Sequence, residues 1–339
     1  MVLIWGHIMH QSDSKESSKN IGFWRFCLFV FTAILLCIVD GGSNAQTLSK
    51  EKYSKAVTKD IAYGREKGNV GMLSDKTSNR EGPESFSHDA EGNLYICDTV
   101  NRSIQIFSSN GEYLRTISLG QEIEANDIAL DKYGSLYVYN DRDGRLYQFD
   151  KNGDLLIMIS VDPKRWQSRG PMHIIDDSIY LRSGSQEDIL IGRIVENTLV
   201  LPTPGDLSKP LQKGIHGQSG KRYFTRIQRM KSGEVDVISK TGKNIRSIKF
   251  SLPGIVSVVF LREDKMGSIY IQTERLNKGK IVLEVRKYDS EGTRLTTVLI
   301  QDNDYGSWSV KLLSLDEHGT IYQFRPGTEK GQLNIFQKD

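Results

Sequence analysis

From about residue 50 onward, apolar and polar residues alternate with a period of two in short runs, and polar turns rich in Gly, Asn and Asp separate the runs. Alternation at that period puts successive side chains on opposite faces of an extended chain, so the runs predict β-strands. No segment carries the 3.6-residue apolar spacing of an amphipathic helix. The stretch Gly92–Ile117, GNLYICDTVNRSIQIFSSNGEYLRTI, shows the pattern most clearly: strand, turn, strand, an Asn-Gly turn, strand.

The first part of that stretch recurs. GNLYICD at Gly92, GSLYVYN at Gly134, DSIYLRS at Asp177, GKRYFTR at Gly220, GSIYIQT at Gly267 and GTIYQFR at Gly319 follow one another at intervals of 42, 43, 43, 47 and 52 residues. Tyr95, Tyr137, Tyr180, Tyr223, Tyr270 and Tyr322 each stand three residues after the turn residue. An alternating apolar run precedes each copy, and a run ending in a tight turn follows it. Asn110-Gly111, Asn152-Gly153, Thr241-Gly242 and Glu291-Gly292 are read as hairpin turns in which Gly supplies the positive φ. The third copy, ILIGRIVENTLVL, has no Gly there and is the weakest. Each unit is thus four short antiparallel strands. Units of this length repeated six times predict an all-β fold, a six-bladed β-propeller occupying residues 46–339.

The sixth copy stops at LNIFQKD, one strand short of a complete blade. A ring left in that state would expose an unpaired strand edge. The segment SKAVTKDIAYG, Ser54–Gly64, is expected to supply the missing strand and close the ring from the N-terminal side.

The best-preserved copy, GPESFSHDAEGNLYICDTVNRSIQIFSSNGEYL from Gly82 to Leu114, resembles the NHL-repeat family. It carries that family's Pro-containing lead-in, Asp-x-x-Gly-Asn turn, strand ending in Asp, and Asn-Arg before the next strand. The second copy matches in part, with Asn140 at the strand-end position. The other four keep only the turn and the Tyr strand. The resemblance implies a six-bladed propeller. It implies little about activity, because that fold hosts ligand binders, protein-binding platforms and some lyases and lactonases.

The first 45 residues do not share the repeat. After the polar QSDSKESSKN comes Ile21–Val39, apolar apart from Arg25, with only fourteen uninterrupted apolar residues beyond that arginine. That is short for a membrane span. Ser43 and Ala45 suit signal-peptidase cleavage before Gln46. Residues 1–45 are therefore expected to be a signal peptide, with an uncleaved anchor at residues 21–39 as the alternative. Met9 is an alternative start to Met1. The expected location is secreted, periplasmic or cell envelope. Of three cysteines only Cys97 lies beyond the leader, so the exported chain has no internal disulfide and Cys97 reads as a small buried hydrophobe. The net charge of +3 is near neutral, and Lys and Arg form no run along the sequence. Neither nucleic acid nor an anionic membrane surface is expected as a partner. The only membrane contact expected is through an uncleaved leader, and the chain is expected to be a monomer.

No nucleophile elbow, metalloprotease helix, Cys-x-x-Cys, phosphate loop or dinucleotide fingerprint is present. A propeller offers its central channel instead. The ends of the second strands, Asp98, Asn140, Ser183, Arg226, Thr273 and Arg325, would form a mixed polar ring rather than a metal cage. Asp98 can equally cap the turn into Asn101. Beyond the leader there are four histidines. His173 begins an inner strand and is the channel candidate among them, with Asp127 in a similar place one blade earlier. His88 and His318 are expected at blade edges. The channel candidates are therefore Asp98, Asp127, Asn140, His173, Arg226 and Arg325. The Pro-rich connection Leu201–Gln218 is either a loop over one end of the channel or a surface insertion. These readings point to a scaffold that binds a protein, a small molecule or a glycan without catalysis and without a cofactor. The alternative is a lyase or lactonase-type hydrolase with a divalent cation in the channel.

Overall fold

A computed structural model describes residues 51–74, 80–161, 170–300 and 306–339. The expected leader lies outside the described residues. Six four-stranded antiparallel sheets form the blades, each running from an inner to an outer strand. Blade I comprises Ser85–His88, Leu94–Asp98, Ser103–Phe107 and Tyr113–Ser118. Blade II comprises Asp127–Leu130, Leu136–Asn140, Arg145–Phe149 and Leu155–Ser160. Blade III comprises Met172–Ile175, Ser178–Arg182, Asp188–Val195 and Thr198–Val200. Blade IV comprises Ile215–His216, Arg222–Gln228, Ser232–Ile238 and Asn244–Ser251. Blade V comprises Ile255–Glu263, Ile269–Asn277, Lys280–Tyr288 and Arg294–Ile300.

Blade VI takes Ser314–Leu315, Ile321–Pro326 and Gly331–Lys338 from the C-terminal end and Tyr53–Ile61 from the N-terminal end. The pairing Tyr53↔Lys338 through Ile61↔Gly331 is antiparallel, with one irregularity near Lys55. The predicted closure of the ring is therefore present, and the strand edge left by the sixth repeat is covered.

The repeated Tyr has a local cause. Asp131 lies three residues before the turn glycine Gly134 and six before Tyr137. Its carboxylate accepts from the backbone N–H of Tyr133 at 2.8 Å and Ser135 at 2.9 Å, and from Tyr137 Oη at 3.0 Å. Asp89, Asp264 and Asp316 do the same for Tyr95, Tyr270 and Tyr322 at 3.4, 3.2 and 3.1 Å. The aspartate thus satisfies turn donors and a buried phenol together. The outer hairpins of blades I, II, IV and V slip register by one residue just before their glycine turns. The third copy turns without Gly because Glu196 and Asn197 themselves take φ of 50° and 62°, the left-handed pair a tight hairpin needs.

Neighbouring blades share apolar cores. Clusters of buried side chains join I to II, II to III, IV to V, V to VI and VI to I. Among the described residues no such cluster joins III to IV. That seam is polar. Gln186 Nε2 donates to Thr225 O at 2.8 Å, and its Oε1 accepts from Thr225 N at 2.8 Å and Thr225 Oγ1 at 2.7 Å. Gly214 N donates to Gln186 O at 2.8 Å.

Candidate ligand site in the central channel

The inner strands run along the channel, so the residues paired with the six repeat tyrosines share one level of its wall. They are Ser87, Ala129, His173, Ile215, Arg262 and Ser314. All six line a cavity of about 470 Å³ to which every blade contributes. One residue further on, the wall carries His88, Leu130, Ile174, His216, Glu263 and Leu315. Arg182, from the second strand of blade III, reaches the same space. The wall is thus mixed, with imidazoles and guanidinium groups set among aliphatic side chains.

The polar centre stands at the seam of blades III and IV. Asp188, on the third strand of blade III, is buried. Its Oδ2 accepts from His216 N at 2.6 Å and lies 2.7 Å from His216 Nδ1. With its proton on Nδ1, His216 donates to Asp188 and leaves Nε2 for the cavity. His173 Nε2 lies 3.2 Å from Asp188 Oδ1 without hydrogen-bond alignment. Tyr180 stacks between the two imidazoles, with centroids at 5.7 Å from His173 and 5.0 Å from His216. Burial pushes the Asp188 carboxyl up, but His173 and His216 outweigh it and hold the group well below the ordinary carboxylate range.

On the inner strand of blade V, Arg262 Nη1 donates to Leu315 O of blade VI at 2.9 Å. Among the described residues Arg262 forms no ion pair. Burial lowers the pKa of its guanidinium, and Asp316, Glu317 and Asp264 act against that. His88 stacks on Tyr322 at 4.6 Å, and burial lowers its pKa too. Glu263, 1% exposed, accepts from Ser219 N at 3.0 Å and Ser219 Oγ at 2.8 Å.

The sequence candidates separate in space. His173 lies on the cavity wall. Asp127 is buried beside it and ties four elements together. It accepts from Ser85 Oγ, from Met172 N, from Ile128 N at 2.7 Å and from Lys311 Nζ at 2.8 Å. Asp98, Asn140, Arg226 and Arg325 are not on this wall. Asp98 accepts from Gly71 N at 2.9 Å, Asn101 N at 3.2 Å and Asn101 Nδ2 at 2.8 Å. Burial raises its pKa, and these donors pull it back. Asn140 caps its own turn through Arg142 N at 3.0 Å. Arg226 pairs with Glu234 and Asp236 at 3.1 and 2.9 Å, and Arg325 donates to Gln332 at 3.3 Å. These four stand at the ends of second strands, one position out from the channel, and their partners lie within or beside their own blades.

Sequence reasoning missed His216, Arg182 and Arg262, and it put His88 at a blade edge rather than on the wall. A signal for the histidines was present: His88, His173 and His216 each stand seven residues before a repeat tyrosine. The Leu201–Gln218 connection concealed His216. It holds a single short helical turn, Pro204–Leu207, capped by Thr203, and then becomes the inner strand Ile215–His216. No group of three or more His, Cys, Asp or Glu among the described residues is placed to hold a metal ion.

No protein-family model matches the chain, and no curated protein matches it. Among solved structures it is similar to a streptogramin B lyase, at 10% identity over 85% of this chain and 98% of that one, with a TM-score of 0.44. It is also similar to virginiamycin B lyase from Staphylococcus aureus, at 11% identity over 84% and 99%, with a TM-score of 0.44. A member of the DUF4221 family from Bacteroides vulgatus is 11% identical over 86% and 99%, with a TM-score of 0.47. Likenesses at this level carry no argument about chemistry, and the six-bladed architecture rests on the strand pairing itself.

Proposed function

We propose that the protein is an exported, NHL-like propeller that binds a small amphipathic molecule bearing an anionic group in its central channel, without catalysis. The observation that carries this reading is the mixed wall of the cavity of about 470 Å³. That volume falls in the range of small-molecule sites. Its aliphatic side chains suit an apolar body. Arg262, which has no ion pair among the described residues, suits an anionic end. Titration calorimetry and thermal shift with medium-chain carboxylates, and with neutral amides of equal length, test it. Carboxylates should bind and amides should not, and Arg262→Gln should weaken carboxylate binding about tenfold or more. Equal behaviour of acid and amide, or of wild type and Arg262→Gln, would sink the proposal.

Acid–base catalysis is the second reading, favoured by the Asp188–His216 contact. A carboxylate that fixes one ring nitrogen leaves the other poised to take or give a proton. His216→Gln separates the two readings: turnover of a bound ligand should stop while its affinity stays. A lyase or lactonase using a divalent cation would require a donor set that these residues do not form.

A further inference from the structure

The ladders between the second and third strands are longest in blades IV and V, with seven and nine paired positions against five or six in the other four blades. In blades I and II the strands they join have five residues each, in blade IV seven, and in blade V nine. The repeat tyrosine is the second residue of its strand in all four blades, so the added residues all lie at the hairpin tips. Four added residues carry the blade V tip about 13 Å further out.

Both tips alternate cationic and apolar residues: Arg226-Ile227-Gln228-Arg229-Met230-Lys231 and Arg275-Leu276-Asn277-Lys278-Gly279-Lys280-Ile281. The stem arginines are neutralised, Arg226 by Glu234 and Asp236 and Arg275 by Glu284 at 3.0 Å. The tip cations are not. Arg229, Lys231, Lys278 and Lys280 are exposed and form no ion pair among the described residues. Between them Ile227, Met230, Leu276 and Ile281 are 39, 50, 47 and 40% exposed.

The two tips form one ridge. Gly254, in the link between the blades, donates its N–H to Met230 O at 2.8 Å and accepts from Leu276 N at 2.8 Å. Its φ is +80°, and a Cβ there would stand 2.4 Å from Leu276 O. The approach is therefore one that glycine permits, and it holds two cationic, apolar tips side by side.

We infer that this ridge docks the protein onto an anionic lipid bilayer. Four unpaired cations meet lipid phosphates and carboxylates, while the apolar tips enter the headgroup boundary. A nucleic acid would use the cations but gain little from exposed Met and Leu, so the bilayer is the better match.

Vesicle co-sedimentation of the full chain tests this, using phosphatidylcholine vesicles with and without about one third phosphatidylglycerol. Any uptake through the leader would be common to all variants, so the readout is the ratio of anionic to neutral partitioning. The quadruple substitution R229Q/K231Q/K278Q/K280Q should lower that ratio at least about tenfold. M230S/L276S should lower binding to anionic vesicles with the charges intact. Both sets change exposed positions, and an unchanged thermal melt confirms folding. A ratio that the quadruple substitution does not alter overturns the proposal. So does a charge effect that M230S/L276S does not share, because the apolar tips would then not enter the headgroup boundary.

Discussion

A single carboxylate shows how burial at one position sets a pH dependence. Glu84 precedes the inner strand of blade I and accepts from Asn126 Nδ2 at 3.1 Å. Burial pushes its carboxyl up to about 7, against that hydrogen bond, and Asp141, Glu124 and Glu81 add repulsion. The folded pKa lies above the ordinary 4.5, so folding takes up a proton and stability falls as pH rises from about 4.5 to about 7. Glu84→Gln mimics the protonated form. It should match wild type near pH 4 and be more stable by roughly 1–2 kcal/mol at pH 8, allowing for the partial exposure of the group. Urea melts at the two pH values measure the difference, and a constant offset across them would contradict it. At this scale the turn aspartates and the tyrosines of the repeat were legible, because each acts within seven residues of chain. The role of Asp98 was only half legible. Its bond to Asn101 is local, but its bond from Gly71 N spans 27 residues.

Among elements, the seam of blades III and IV sets this propeller apart from a uniform ring. Apolar seams keep their contacts while side chains shift slightly. A seam of directional hydrogen bonds loses them together, and their buried groups are left unsatisfied. Gln186→Ala removes three bonds to Thr225 and should cost about 2–4 kcal/mol. Hydrogen exchange should rise first around Ile215–Gln218 and the Thr225 strand, leaving blades I and VI protected. Val138→Ala, in the core shared by blades I and II, should instead lower protection across the ring. Uniform loss in both variants would show that the seam is not a separate unit. The sequence marked this region only through the Pro-rich connection and the weak third repeat. The strand Ile215–His216 has two residues and no periodicity to detect.

For the whole molecule, closure is the decisive contact. Tyr53–Ile61 covers the edge of Gly331–Lys338, and Glu51 joins Lys287 at 2.8 Å and Lys338 at 2.9 Å. A chain that starts after Ile61 exposes that edge and should form higher-order species on size exclusion. A peptide spanning residues 50–64 should restore the elution position of the unshortened chain. A shortened chain that forms no higher-order species and keeps an unchanged melting temperature would refute this account of closure. Cys97 offers an independent reporter. It is fully buried, and burial raises its thiol pKa. It should therefore react with a thiol reagent only at the rate of global opening.

The sequence by itself determined the strands, their grouping into six units and the need for a strand from the other end of the chain. Those follow from short-range periodicity, turn chemistry and an unpaired edge, all of which act along the chain. Only the tertiary structure decided which side chains face the channel, because that depends on strand order within a blade. It also decided that His173 and His216 meet on Asp188 across two blades, and that the tip cations of blades IV and V stand on one ridge. Their separation along the chain hides that ridge from any search for basic runs, since charge density is a property of the folded surface.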